Sequence, residues 1–117
     1  MSYVLLIVEP TGIRESRSLA EGQALYDRML AFSANLRERG LLTMSQSLKT
    51  DADAVRLLRR SGQLSIVDGP FAEAKEMVGG FFLLTCKTRD EAIDIARECP
   101  AADWATVEVR EFGPCFQ

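Results

Sequence analysis

The segment from Asp68 to Glu76 is the most distinctive group of side chains able to do chemistry. It reads Asp-Gly-Pro-Phe-Ala-Glu-Ala-Lys-Glu and holds four ionisable groups in nine residues. An aspartate before Gly-Pro favours a turn in which its carboxylate accepts hydrogen bonds from nearby backbone N–H groups. The functional alternative is that the turn directs Asp68 into a pocket lined by Phe71, where desolvation favours the protonated acid and suits it to proton transfer.

Two further carboxylates, Glu76 and Glu9, are candidates to act with Asp68. Lys75 and Glu76 are neighbours on a predicted short helical turn, where adjacent side chains point about 100° apart, so that only one can face a site. We favour Glu76, against the alternative that both are solvated surface charges. Glu9 follows the first predicted strand, and it would form a carboxylate pair with Asp68 if the two strand ends meet.

The composition excludes several classes of catalytic site. The chain contains no histidine, which Ser-His-Asp and Cys-His catalysis and most zinc and iron sites require. No acidic series has the spacing of a calcium loop. Gly79-Gly80 precedes a strand instead of opening a helix, which indicates a β-bulge or a close backbone approach instead of a phosphate-binding loop. We therefore expect no metal and no cofactor.

Charge and cysteine content bear on partners and compartment. The net charge of −3, from 14 basic and 17 acidic residues, gives no positive field that would attract nucleic acid. The cysteines, Cys86, Cys99 and Cys115, form no CxxC pair, and their odd number suits a reducing compartment. The apolar run from Val4 to Val8 is too short to cross a bilayer and lacks the flanks of a signal peptide. We expect a cytoplasmic protein that binds neither nucleic acid nor membrane.

Hydrophobic periodicity predicts a strand, a helix and a strand in the first half. Tyr3 to Val8 has the pattern of a buried strand, and a loop follows at residues 9–12. Ser18 and Glu21 form a capping box, and Gly40 ends the helix that they begin. The apolar residues of that helix recur at helical spacing: Leu25, Met29, Phe32 and Leu36. The residues predicted for the buried face of the next strand are Leu42, Met44, Gln46 and Leu48.

The second half predicts a hairpin, a strand, a helix and a strand. Residues 54–59 and 63–67 form the hairpin around a turn at residues 60–62, with Arg56, Arg59 and Arg60 as charges that guard its edge. Residues 80–86 form a buried strand. Thr88 begins a helix that Pro100 ends, and residues 106–112 alternate as the last strand.

This order predicts an α+β fold in a single domain, residues 1–117. The order β-α-β, hairpin, β-α-β with right-handed crossovers gives a ferredoxin-like plait with a β-hairpin insertion and both helices on one face of an antiparallel sheet. The strands carry apolar residues on both faces, so the open face needs a cover. Our hypothesis is dimerisation through that face.

The run from Val67 to Glu76, followed by Gly79-Gly80-Phe81-Phe82-Leu83-Leu84, resembles the signature of YCII-related, DGPF-domain proteins. The resemblance extends over nearly the whole chain, from the Tyr3–Ile7 run to the Val107–Arg110 run. It implies a dimeric α+β barrel with a pocket near the DGPF turn. Asp68, Gly69, Pro70 and Phe71 match the motif closely enough to inherit the status of site residues.

The resemblance implies no settled activity. Some members are similar to dehydrochlorinases or lyase-like enzymes, but the histidine and aspartate pair proposed for the smaller branch has no counterpart in a chain without histidine. Many members look as though they accompany sigma factors in the genome, which suggests a regulatory accessory. Our leading hypothesis is a homodimer that binds a small molecule near the turn. The predicted binding residues are Glu9, Gly69, Pro70, Phe71 and Glu76.

Two other hypotheses stay open. In the first, the protein is a cofactor-free acid–base enzyme, similar to a lyase or a dehydrochlorinase, with Asp68 as its catalytic residue. In the second, it is a structural interaction module in which Asp68 only holds a turn in place.

Overall fold

The computed structural model describes residues 2–116. Within them, strands and helices follow one another in the order β1, α1, β2, β3, β4, β5, α2, β6. Their bounds are β1 Tyr3–Pro10, α1 Leu19–Glu38, β2 Leu42–Ser47, β3 Val55–Arg60, β4 Gln63–Asp68, β5 Glu76–Leu84, α2 Arg89–Arg97 and β6 Thr106–Glu111. Two short 3-10 turns, Asp51–Asp53 and Pro100–Asp103, precede β3 and β6.

Four strands form the main sheet in the order β2-β5-β1-β6, and every neighbouring pair is antiparallel. The strands β3 and β4 form a separate two-stranded sheet. This topology confirms the predicted α+β fold, which is consistent with a ferredoxin-like plait with a hairpin insertion. Barrel closure and dimerisation are properties of an assembly, and they stay predictions.

The chain alternates faces along β1, and one face enters a continuous apolar core. Tyr3, Leu5 and Ile7 are at most 6% exposed, and they pack with residues of both helices. The rings of Phe32 and Phe82 meet edge to face, with centroids 5.2 Å apart, a favoured geometry for aromatic pairs. No helix within residues 2–116 combines the length and the apolarity that crossing a membrane requires.

Local sequence signals account for both ends of α1. The Ser18 hydroxyl accepts a hydrogen bond from Glu21 N–H at 3.1 Å, and Glu21 Oε1 accepts one from Ser18 N–H at 3.0 Å. The capping box thereby satisfies N–H groups that would otherwise lack partners. At the other end, Leu41 N–H donates to the Leu36 carbonyl at 2.9 Å, and Gly40 adopts a φ of +71°. The predicted helix is confirmed.

The buried face of β2 differs from the prediction. The pairing of β2 with β5 shifts register between Leu42 and Met44. Beyond the shift, Ser45 lies opposite buried Phe82, and Met44 turns to the other face, where it is 43% exposed. Because one inserted residue reverses the alternation, the prediction that Met44 and Gln46 share the buried face is wrong.

Strand pairing also extends two elements beyond their predicted bounds. β1 continues to Pro10, so Glu9 lies within the strand, opposite Met77, and not in a loop. β5 begins at Glu76, opposite Pro10, and the ladder continues with Thr11 N–H donating to the Lys75 carbonyl at 2.9 Å. The prediction of a helical turn at Glu76 is wrong, because the backbone groups there find partners across the sheet.

The hairpin of β3 and β4 is confirmed, with a two-residue turn. Ser61 and Gly62 both have positive φ, 51° and 77°, which is typical of the tight turns that match strand twist. Pairing places four large apolar side chains on one face of the hairpin, each 48% to 63% exposed: Val55, Leu57, Leu64 and Ile66.

Candidate functional site

A cleft of about 330 Å³ opens between the first half of α1 and the helix-covered face of the main sheet. We call it the Glu9 cleft. Its polar wall contains Glu9, Arg14, Arg17, Ser33, Ser45, Gln46 and Ser47. Its apolar wall contains Ile7, Leu25, Tyr26, Met29, Leu30, Phe82 and Trp104. The predicted apolar stripe of α1 therefore divides, since its last residues enter the core and its first residues line the cleft.

Glu9 is a buried carboxylate paired with Arg14. Its residue is 4% exposed, and its Oε1 lies 2.6 Å from Arg14 Nε. Arg14 also donates to two backbone carbonyls, from Nη1 to Leu48 at 2.7 Å and from Nη2 to Gly79 at 3.2 Å. A buried carboxylate is costly without a partner. Arg14 compensates the charge of Glu9 and joins β1, β5 and the end of β2.

The contact between Glu9 and Arg14 is an ion pair without a well-directed hydrogen bond. Glu9 Oε1 accepts no hydrogen bond from any group within residues 2–116, although it is buried. The short separation fixes the electrostatic attraction, whereas the Nε–H bond does not point at the oxygen. An unused buried acceptor is uncommon in folded proteins, and it is frequent where a site has a functional task.

The β-bulge at Gly79 makes room for this pair. The register of β1 and β5 shifts between Ile7 and Val8, which leaves Gly79 unpaired between its neighbours. A Cβ at Gly79 would lie 2.7 Å from both Arg14 Nη2 and Glu9 Cδ, closer than van der Waals contact allows. The predicted bulge with close approach is confirmed, and the close approach is to a buried ion pair.

Ser33 and Ser45 add a second polar feature to the cleft. Ser33 is 8% exposed on α1, and its hydroxyl lies 3.0 Å from the hydroxyl of Ser45 on β2. Each hydroxyl can donate and accept, so the pair satisfies itself while keeping unused capacity. Ser33 and Glu9 are the polar residues that are buried in the described part of the chain, and both line this cleft.

Trp104 closes the cleft from the segment before β6. Its ring lies 5.2 Å from Arg28 Cζ, a cation–π contact. Arg28 Nη2 also donates to Asp103 Oδ2 at 2.9 Å. These contacts hold the indole beside α1.

The DGPF turn lies elsewhere and fastens the hairpin. Phe71 is 6% exposed and lies under Arg56, whose Cζ is 3.8 Å from the ring centre. Phe71 N–H donates to Asp51 Oδ2 at 3.1 Å, and Gly69 N–H donates to the Ala54 carbonyl at 2.7 Å. A Cβ at Gly69 would overlap the Asp51 carbonyl. The turn thus packs against the 3-10 turn that precedes β3.

The structure separates the predicted site residues into two groups. Glu9 lines the cleft, whereas Asp68, Gly69, Pro70, Phe71 and Glu76 are absent from its walls. Asp68 is exposed at the end of β4, and the carboxylate that accepts a hydrogen bond from the turn is that of Asp51. The structure does not bring Asp68 and Glu9 together in this cleft. Catalysis by Asp68 and binding by the turn stay predictions.

Sequence reasoning missed Arg14, Arg17, Ser33 and Trp104. Arg14 and Arg17 lie in the loop after β1, which had no periodicity to follow. Ser33 had a usable signal, because it lies four residues after Met29 on the apolar side of a helix, where a serine is out of place.

Perturbed titrations in the molecule have structural causes. Burial raises the pKa of the Cys99 thiol, and burial together with the nearby Glu91 raises the pKa of the Cys86 thiol. Thiols of this kind are inert. Hydrogen bonds from the backbone and side chain of Ser18 lower the pKa of Glu21. Residues 2–116 contain no group of three or more acidic or thiol side chains arranged to hold a metal ion.

The fold and the cleft define a class, an α+β plait protein with a helix-covered pocket and an attached hairpin. The YCII-related domain family matches residues 1–114. An uncharacterised protein of Rhizobium meliloti (strain 1021) is 31% identical over 106 residues, which cover 91% of this chain and 86% of that protein. The chain belongs to the YCII-related family.

Proposed function

We propose that the protein binds a small molecule in the Glu9 cleft. The observation that carries this proposal is that the two buried polar residues, Glu9 and Ser33, both line one cleft of about 330 Å³. Small-molecule sites are concave and mostly apolar, with a few polar groups that fix orientation, and their volumes begin near 300 Å³. The apolar wall with Tyr26 and Trp104 and the polar wall around Glu9 meet that description.

The location differs from the pocket predicted near the DGPF turn. Phe71 fills the space beside that turn and is covered by Arg56, which leaves less room for a ligand. Of the predicted binding residues, Glu9 lines the proposed cleft. The two locations give different predictions for matched carboxylate-to-amide variants.

The test is native mass spectrometry of the purified protein and of the variants Glu9→Gln and Asp68→Asn. We expect a retained small molecule in the wild type and in Asp68→Asn, and its loss in Glu9→Gln. Circular dichroism establishes that each variant is folded. Tyr26→Ala is a second cleft variant, because Tyr26 is 51% exposed and its truncation leaves the core intact.

Loss of the small molecule in Asp68→Asn alone would move the site to the DGPF turn. A wild-type protein that retains nothing, and whose Trp104 fluorescence responds to no fraction of a small-molecule extract, would refute the proposal. Trp104 is the single tryptophan of the chain, so its emission reports on the cleft without background.

A homodimer through the open face of the main sheet is the second part of the proposal. Register pairs Leu6 with Phe81 and Val4 with Leu83 on the face opposite the helices, and the helices leave that face uncovered. β6 places Glu108 and Arg110 at the margin of this apolar patch. An apolar centre with a polar margin is typical of protein interfaces.

The dimensions of the chain also favour a partner. The Cα radius of gyration is 16.1 Å, and the shortest axis is 18 Å. A compact domain of this length has a radius of gyration of about 13 Å, so the chain is flatter and more extended than one that buries its surfaces alone. A second copy is the occupant we propose, because two-fold association covers the same face on both chains at once.

Light scattering coupled to size exclusion tests the dimer. Met44→Lys and Val78→Lys place charge on the open face at positions that are 43% exposed in the single chain, and we expect monomers. Leu19→Lys is the control, because Leu19 is 87% exposed on α1 and should leave the dimer intact. A monomeric wild type, or dimers that tolerate both open-face lysines, would refute this interface.

The remaining hypotheses are ordered by the same observations. An acid–base enzyme that uses Asp68 is less favoured, because an exposed carboxylate lacks the water-excluded surroundings that such catalysis uses. A cytoplasmic location agrees with three free cysteines, of which Cys86 and Cys99 are buried. A functional link to a sigma factor stays a prediction.

A further inference from the structure

We infer that the Glu9 cleft selects a small monoanionic ligand with an apolar body, and that Arg17 pairs with its acid group. This inference rests on the proposed function and adds the chemical class of the ligand. It is carried by the charges that line the cleft, which are those of Glu9, Arg14 and Arg17.

Arg14 has little capacity left for a ligand. Its Nε lies against Glu9, its Nη1 donates to the Leu48 carbonyl, and its Nη2 donates to the Gly79 carbonyl. Its charge offsets that of Glu9. The ion pair therefore shapes the polar wall and contributes little net attraction for either sign of ligand charge.

Arg17 is different, because its guanidinium has no ion-pair partner and makes no side-chain hydrogen bond to any group within residues 2–116. Glu21 is close enough for Arg17 to lower its pKa slightly, after the larger effect of Ser18. However, Glu21 Oε1 already accepts a hydrogen bond from Ser18 N–H at 3.0 Å. One carboxylate and two guanidiniums leave the cleft with one excess positive charge, located at Arg17.

A guanidinium with free donors binds carboxylates in a planar, two-bond geometry. The start of α1 lies beside Arg17 and adds the positive end of the helix dipole in the same place. Tyr26, Leu30 and Trp104 lie along the rest of the cleft, where an aliphatic or aromatic body would be desolvated. A single acid group at one end and an apolar body at the other match this distribution.

The test uses three probes of one shape and different charge: phenylacetate, 2-phenylethanol and 2-phenylethylamine. Each is titrated while Trp104 emission is followed with excitation at 295 nm, a wavelength the probes do not absorb. We expect phenylacetate to bind about tenfold or more tightly than the alcohol, and the amine to bind most weakly, because a charge-assisted hydrogen bond exceeds a neutral one by that factor.

Arg17→Gln should remove the preference for phenylacetate, while Arg37→Gln should keep it. Arg37 is an exposed arginine at the far end of the same helix, which makes it a matched control. The inference is overturned if the alcohol binds as tightly as the acid, or if Arg17→Gln retains the preference. It is also overturned if native mass spectrometry finds a neutral or cationic ligand, although the proposed function then stands. If no probe binds and nothing is retained, both fail.

Discussion

The plait and the hairpin use the same backbone pairing with opposite results for burial. Alternate residues of β1 are buried, whereas every residue of β3 and β4 is exposed. The hairpin is held at its base by the Arg56–Phe71 contact and by the hydrogen bond to Asp51. Strand pairing alone stabilises a two-stranded sheet only marginally. The difference shows that a hairpin with an apolar face requires something to cover it.

The same contrast separates two carboxylates that look alike in sequence. Glu9 precedes Pro10, and Asp68 precedes Gly69-Pro70, each at the end of an apolar run. Glu9 is 4% exposed and paired with Arg14, because β1 is central and α1 covers it. Asp68 is exposed, because β4 lies in a sheet that nothing covers. The chemistry of a carboxylate therefore follows from the layer that contains its strand.

The largest effect should come from truncating a leucine in each region. Leu5→Ala, at a residue that is 0% exposed, should lower the free energy of unfolding by about 2–5 kcal/mol, because it leaves a cavity. Leu57→Ala, at a residue that is 62% exposed, should change it by less than about 0.5 kcal/mol in the monomer. Urea unfolding at low protein concentration measures both. Equal losses would mean that the hairpin is as buried in solution as the core.

Adding a methyl group to Gly79 should have the next largest effect. The new Cβ overlaps Arg14 and Glu9, so Gly79→Ala should cost about 1–3 kcal/mol and weaken binding in the cleft. Gly113→Ala is the control, because a Cβ there meets nothing within 4 Å. Thermal unfolding and the Trp104 titration report the two effects separately. A Gly79→Ala protein with unchanged binding would show that the ion pair does not shape the cleft.

The smallest effect concerns the cap of α1, which begins beside the cleft. Ser18→Ala should cost about 1 kcal/mol. Hydrogen bonds from Ser18 lower the pKa of Glu21 in the folded state, so the unfolded state binds more protons in that range. The contribution of Glu21 is therefore present above the pKa of the unfolded state and is lost as pH falls through the folded pKa.

Urea unfolding between pH 6 and pH 3 measures this contribution, and Ser18→Ala should flatten its part of the pH profile. Thr88→Ala, at the cap of α2, is the control, since Thr88 accepts from Glu91 N–H without the reciprocal bond to Glu91 that the first cap has. A pH profile that is identical in Ser18→Ala and the wild type would contradict the assignment.

The sequence by itself determined the elements whose signals are local. The capping box at Ser18, the stop at Gly40 and the tight turn at residues 61–62 act over a few residues, so α1 and the hairpin were predicted closely. The order of these elements and the rule of right-handed crossovers then gave the plait. The need for a glycine at position 79 was also predicted, because a glycine within a strand indicates a bulge or close approach.

The tertiary structure alone decided which side chains meet. The bulge in β2 reversed the face of Met44, and strand pairing moved Glu9 from a loop into a buried strand. Arg14 and Arg17 come from a loop without periodicity, and only the packing of α1 on the sheet brings them to the cleft with Ser33 and Trp104. Contacts between residues far apart in the chain depend on register and layer packing, which a local pattern does not encode.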